Sequence, residues 1–418
     1  MAQNFKTLIH LSILLTDDEL SKALSVWFNE PTTFTHWEPI GEMGKGDSYL
    51  SDVYKIKIYG QCNGSSKHIQ IIVKTIPKNT SRRLTFRSHD FFRNEINFYQ
   101  KVLPVLLKFQ SEKEMSESYT NYTNVFLALS DGTNDVICLE DVSLENYGSP
   151  VRQEGIDYEH FKLTLRVLAK YHALSFAFRD QHPNEFFTIS NFVSEEYYDD
   201  KHWDWYERFW KRISSVAIDA VEKEYPNTHY VNKVKEFAVP EQYKNMIKAA
   251  KDKTNCVISH GDCWTTNFLY KYDKDEVIDA KMIDFQLTRC ASPVLDISFA
   301  IYACTDQYLR SKYYDDLLKY YYDILAKQIN EMGSDSNKVY SWETFMREMK
   351  KYSYFGLAFS FESTPFIILA PEDAFNMNLS GDEKRNIEEF WPVAPIKTKE
   401  GRLREANNIV HCVDRGYI

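Results

Sequence analysis

From about residue 40 to residue 77 apolar side chains alternate with polar ones, in YLSDVYKIKIYG and KHIQIIVKTIP, with the turn-rich GQCNGSS between them. A period of two sends successive side chains to opposite faces of a strand, so an antiparallel pair of half-buried strands is expected. HDFFRNEINFYQKVLPVLLKF then reads as helix, QSEKEMSESYTNYTN as a polar loop, and VFLALSD and DVICLEDV as two short strands. From Tyr158 onward the spacing becomes helical: Phe161, Leu165, Leu168, His172 and Phe176 form one stripe. The apolar run Leu8 to Leu15 is too short to cross a bilayer and has neither the basic flank nor the cleavage site of a secretory signal. It reads as part of a structural helical region. The pattern as a whole predicts an α+β chain, with a β-rich N-terminal lobe over residues 1–139, a tight hinge over 140–147 and a mainly helical C-terminal lobe over 148–418.

A second alternating pair lies far along the chain, where NFLYKY and VIDAKMIDF flank a polar DKDE turn. A turn centred on Asp275 and Glu276 sets Asn267 directly opposite Asp284, with side-chain roots about 5 Å apart. Two hard oxygen donors then meet, a pairing suited to Mg²⁺, which takes one or two carboxylates and completes its shell with water and phosphate oxygens. Asp262 falls in the preceding loop, free to accept a hydroxyl proton. A single aspartate at a strand end usually does no more than cap a turn. His260, Gly261 and Asp262 followed at this spacing by Asn267, with Asp284 beyond, read together as a site for metal-bound phosphate.

Length and charge narrow the picture. At 418 residues the chain outgrows a single core, which agrees with two lobes. A formal net charge of −10 gives no general attraction to nucleic acid or anionic membranes, and no obligate protein partner is evident. Seven scattered cysteines without a CxxC pair or zinc spacing suggest free thiols in a reducing compartment, with the cytoplasm expected. Aromatic residues make up 15% of the chain, which fits either a large aromatic core or a roomy apolar pocket.

HGDCWTTN together with IDFQ resembles the catalytic loop and metal-binding aspartate of kinase-like phosphotransferases that act on small molecules. More narrowly, HGDCWTTNFLY and DFQ resemble the insect ecdysteroid kinase-like (CHK kinase-like) family, relatives of choline and aminoglycoside kinases. The likeness runs from about Gly41 to Tyr321. It implies a bilobal protein-kinase-like fold, ATP and Mg²⁺ as cofactors, and a small alcohol as acceptor, in hormone inactivation or detoxification. By the same likeness Asp262 is the catalytic base, Asn267 and Asp284 are the metal ligands, and His260 holds the loop. Gly261 and Gln286 stand where protein kinases carry the Arg of HRD and the last Gly of DFG, and no APE segment follows. A constitutively assembled small-molecule kinase fits these departures better than a protein kinase.

The rest of the phosphoryl-transfer template can be sought upstream. Lys74 sits among β-branched residues, where a lysine is costly unless paired, and Glu95 in the following helix is its natural partner. Gly44 and Gly46 precede a strand and suit a close approach of backbone amides to phosphate, with Ser48 and Ser51 as added contacts. The backbone of Glu140 and Val142 would meet adenine at the hinge. Asp296 resembles the aspartate that buttresses the catalytic loop, with a plain helix cap as the competing reading. Trp203, Tyr206 and Trp210 share a helical face; they read either as core or as an aromatic wall for a flat apolar alcohol such as the steroid that the family likeness implies. A choline- or ethanolamine-type substrate is the rival, with Asp204 and Glu207 completing a cation cage. A non-catalytic steroid-binding pseudokinase is disfavoured, because Lys74, Glu95, Asp262, Asn267 and Asp284 are all present.

Overall fold

The computed structural model describes residues 7–41, 50–369, 382–391 and 393–418. Strands β1 (Thr33–Pro39), β2 (Asp52–Cys62), β3 (Ser65–Thr75), β4 (Val125–Leu129) and β5 (Val136–Glu140) form one sheet in the order β1-β2-β3-β5-β4. All of its pairings are antiparallel. The β2–β3 hairpin closes through Asn63 and Gly64, both with positive φ, because a two-residue turn must match the right-handed twist of its strands. Strand β1 escapes a period-two reading because its register shifts between Phe34 and His36, so that Phe34 and Trp37, three residues apart, are both buried.

One face of the sheet buries Ile56, Ile58, Ile69, Ile71 and Val73 against the N-terminal segment. Leu8, Leu11 and Leu15 plug this face from a run of turns, where the sequence suggested helix. Ser12 explains the difference: its hydroxyl donates to the Asn134 carbonyl at 2.6 Å and accepts from the Leu14 amide, bonds that compete with a helical ladder. The helix starts only at Asp17, capped by Thr16, and runs Asp17–Phe28.

Beyond the sheet the chain is mainly helical, with long helices Tyr158–Gln181, Trp203–Glu224, Gln307–Glu331 and Trp342–Ile367. Two small sheets interrupt them: β6 (Tyr147–Gly148) with β8 (Phe268–Asp273) and β9 (Glu276–Met282), and β7 (Val257–Ser259) with β10 (Arg289–Ala291). Helix Trp342–Ile367 crosses helix Val294–Cys304 closely enough that a Cβ on Gly356 would lie 2.2 Å from the Ser298 carbonyl carbon. That approach brings Phe359 into a stack with Phe299, centroids 4.2 Å apart. All seven cysteines are free and buried. Among the described residues no helix is long and apolar enough to cross a membrane.

Glu405, on the C-terminal helix Lys399–Asp414, is fully buried, and burial pushes its carboxyl up to about 8 from an ordinary 4.5. Between those two values the folded protein keeps a proton that the unfolded chain releases, so stability falls as pH rises through this window. Glu405→Gln is therefore expected to be more stable than the parent at pH 8, by on the order of 2–4 kcal/mol, and so to unfold at a higher temperature there, and to unfold at nearly the same temperature at pH 5. Thermal melts at both values check this; a difference independent of pH would contradict it.

Candidate active site

Strand β7 delivers the chain to His260, Gly261 and Asp262. Gly261 has φ +86°, and a Cβ there would sit 2.0 Å from the Leu287 carbonyl oxygen, so only glycine lets the loop pass this close to the Phe285–Leu287 turn. Asp296 holds the loop from below. Its carboxylate accepts from the His260 amide at 2.7 Å and the Gly261 amide at 2.9 Å, and its third partner is the His172 imidazole at 3.1 Å. It does not cap its own helix Val294–Cys304, which begins without a side-chain cap bond. The His260 ring is fully buried, and burial lowers its basicity. Nε2 donates to the Ile283 carbonyl at 2.9 Å and Nδ1 accepts from the Asp262 amide at 3.2 Å. The imidazole thus ties the loop to the chain entering Asp284 and is spent on that task.

Asp262 takes two bonds from the Asn267 amide group, one at its carbonyl and one at its carboxylate, both 2.9 Å. Because the Asn267 nitrogen is committed to Asp262, its side-chain oxygen is left for another partner. Burial, and then the charge of Asp284, push the Asp262 carboxyl up to about 7, with the bonds from Gln286 and Asn267 working the other way.

The β8–β9 register differs from the expectation by one residue. The turn falls at Lys274 and Asp275, with Lys274 at φ 56°, and Phe268 pairs with Met282. Asn267 consequently meets Ile283, whose amide donates to its carbonyl at 3.0 Å. Asp284 reaches the site by another route: it adopts the left-handed conformation, φ 67° and ψ 63°, which turns its side chain back into the pocket that Asn267 also lines.

Lys74, near the end of β3, bonds Glu95 at 2.6 Å and Asp284 at 2.5 Å. Burial works against its charge, but Asp284 and then Glu95 outweigh it and hold the ammonium above the ordinary lysine range. For Glu95, burial raises the carboxyl and the Lys74 charge opposes it. The Asp284 side chain is 27% exposed against 9% for Lys74, so the trio opens to solvent on the Asp284 side. Helix Ser88–Asn97 fixes the trio from behind, since Asn94 donates to the Gln286 and Thr288 carbonyls at 3.0 and 2.7 Å. Phe285 stacks on Phe98 with centroids 4.0 Å apart.

Two residues carry the site without belonging to any motif. Arg289, fully buried on β10, donates to the Gly261 carbonyl at 2.7 Å and pairs with Glu195 at 2.5 Å, so it braces the loop from the strand opposite. Only a lone buried cation a few residues past DFQ could have hinted at it.

A pocket opens on this constellation. Asp262, Asn267, Asp284 and Gln286 line it together with the aromatic residues Phe86, Phe91, Tyr197, Trp205, Phe359 and Trp391. Trp203, Tyr206 and Trp210, the aromatics expected to wall an acceptor site, are not among its lining. Tyr206 and Trp210 are buried in the helical core, where the Trp210 indole donates to the Val239 carbonyl at 3.1 Å, and Trp203 packs on Tyr243. The stripe faces inward because it is the most apolar face of its helix. Trp205, on the adjoining face, turns to the pocket with its indole held by the Thr85 carbonyl at 2.6 Å.

Of the residues expected to meet the nucleotide, Gly44, Gly46 and Ser48 lie outside the described residues. Ser51 lines the pocket. Glu140 closes β5 and spends its amide on the Asn124 carbonyl at 2.9 Å, which leaves its carbonyl for any base, and Val142 opens the turn Val142–Glu145. Among the described residues no three His, Cys, Asp or Glu side chains gather into a metal cage. One carboxylate and one amide oxygen beside a solvent-open cleft instead suit Mg²⁺, which keeps most of its shell for water and phosphate.

A lysine–glutamate–aspartate trio, a second aspartate hydrogen-bonded to an asparagine, and an adjoining apolar pocket define a phosphotransferase that acts on small molecules. The chain belongs to the ecdysteroid kinase-like family, whose model matches residues 45–334. Among solved structures it is loosely similar to an aminoglycoside phosphotransferase, APH(2″)-IIIa, in a GDP and kanamycin complex, at 14% identity over 82% of this chain and 97% of that one, with a TM-score of 0.36. It is likewise loosely similar to an ethanolamine kinase of Plasmodium vivax, at 11% identity over 91% of this chain and 84% of that one, with a TM-score of 0.38. No curated protein matches it.

Proposed function

We propose that this protein transfers the terminal phosphoryl group of ATP to a hydroxyl of an uncharged apolar alcohol, an ecdysteroid or a related steroid or foreign alcohol. The observation that carries this reading is the aromatic-lined pocket that Asp262, Asn267 and Asp284 also line. Asn267 and Asp284 would hold Mg²⁺, which when bound offsets the charge of the phosphates. Lys74, oriented by Glu95, contacts the nucleotide phosphates; Ser51 adds a contact to them; and the backbone at Glu140 and Val142 takes the base. Asp262 orients the acceptor hydroxyl and collects its proton late in a loose transfer, while His260 and Asp296 keep the loop in place. Residues 1–139 and 148–418 then act as two lobes about a hinge at 140–147.

Lys74→Ala is expected to lower kcat/KM for ATP by roughly 10²–10³ while leaving the ranking of acceptors unchanged. Steady-state kinetics on two acceptors check this, and a changed ranking with unchanged ATP use would contradict the role. The acceptor class is tested by offering ecdysteroids and simple steroid alcohols beside choline and ethanolamine. Phosphorylation of the neutral alcohols is the expected result; turnover confined to the cationic alcohols, or nucleotide binding with no turnover on any, would overturn the reading.

A further inference from the structure

The pocket lining also holds two polar groups outside the span matched by the family model. Glu362, on helix Trp342–Ile367, is 7% exposed and lines the pocket. Its two carboxyl oxygens accept from the Tyr197 hydroxyl at 2.6 Å and the Tyr206 hydroxyl at 2.9 Å. A carboxylate offers about four lone-pair positions, so both oxygens keep capacity toward the pocket. Ser363, next to it and also lining, is 6% exposed, and its hydroxyl has no hydrogen-bond partner among the described residues. A buried serine hydroxyl in a helix normally bonds back to a carbonyl one turn earlier, and leaving it unmade costs free energy. An acceptor and an orphaned donor thus sit side by side in a wall that is otherwise mostly aromatic.

Resting on the acceptor pocket proposed above, we infer that Glu362 and Ser363 form a second hydroxyl-binding station, so that the acceptor is an apolar molecule with at least two hydroxyls and the station fixes which of them meets Asp262. A hydroxyl matches both groups at once, donating to Glu362 and accepting from Ser363. An ammonium has no lone pair and would leave the Ser363 proton unpaired. The rings add to this discrimination. The Arg87 guanidinium lies 5.2 Å from the Trp205 ring centre and 5.8 Å from that of Phe91, and Arg87 is not part of the lining, so these π-faces already serve a cation behind the wall. Burial, which pushes the Glu362 carboxyl up to about 7, also favours an uncharged occupant. Glu362 and Ser363 act here as positioning residues, in the same pocket as Asp262, whose charge adds to the upward push on the Glu362 carboxyl.

The test compares a steroid monool, a set of diols that add one hydroxyl at different positions of the same ring system, and the matching amine, with binding read from the fluorescence of Trp205, Trp264 and Trp391, which line the pocket. The intact protein is expected to bind the best of the diols roughly 10–100-fold more tightly than the monool. Glu362→Gln and Ser363→Ala should each lose most of that preference while binding the monool as before. Ser363→Ala removes only an unpartnered hydroxyl, so it reports on the station even if changing Glu362 disturbs the fold. Equal binding of the monool and every diol by the intact protein, a preference intact in both variants, or tightest binding of the amine would overturn the inference. Turnover is read separately: a diol bound through this station yet never phosphorylated would sink the kinase reading and leave the station standing.

Discussion

Asp284→Ala is expected to abolish turnover and with it the dependence on Mg²⁺. ATP brings about four negative charges to a cleft already lined by Asp262 and Asp284, and neither carboxylate can approach them uncompensated. Asp284 is built for that duty at some local expense. A non-glycine residue with φ 67° is strained, and it is held there by Phe285, stacked beneath it on Phe98, and by the bond from Lys74. Alanine keeps the fold, because Lys74 retains Glu95 as its partner. Activity at or near the parent level, with unchanged Mg²⁺ dependence and a normal thermal melt, would count against the assignment.

Asp262→Asn should separate binding from rate. The side chain keeps an acceptor for the Asn267 amide, so the loop should hold its shape and both substrates should bind nearly as before. What is lost is a place for the acceptor proton, and turnover should fall roughly 10²–10⁴-fold. Matched KM values with a collapsed kcat are the expected signature. A proportional rise in KM with kcat preserved would show that Asp262 only binds.

The sequence made the chemistry legible before it made the geometry legible. His260, Gly261, Asp262, Asn267 and Asp284 stand out because their identities and spacing are improbable together, and Lys74 and Glu95 because each would be costly in its surroundings without the other. The structure brings Lys74, Glu95 and Asp284 into one trio and Asp262 and Asn267 into contact. The details depend on backbone features that carry no simple period. The β8–β9 turn closes on Lys274 and Asp275, with Lys274 at positive φ, and the register shifts again between Lys271 and Tyr272, so that Asn267 ends one residue off the expected pairing and the left-handed Asp284 does what strand pairing was expected to do. Strand β1 hides behind a register shift, and Ser12 breaks a helix that its leucine spacing suggested.

The acceptor wall was the least legible part, for a physical reason. Helix Trp203–Glu224 offers two aromatic faces, and which one turns to the pocket is decided by packing against residues far away in sequence. Tyr206 goes inward to meet Glu362, 156 residues further on, and Trp205 is left at the pocket. Arg289 and Glu195 likewise meet only through the fold.

The most direct measurement is mass spectrometry of a mixed pool of steroid and other apolar alcohols, with choline and ethanolamine added, after incubation with the protein, ATP and Mg²⁺. A phosphate monoester of a neutral alcohol should accumulate with the parent protein and be slowed at least 10²-fold with Asp262→Asn. Phosphorylated choline or ethanolamine alone, no phosphorylated product at all, or a neutral product formed equally fast by the Asp262→Asn variant would contradict the proposed reaction.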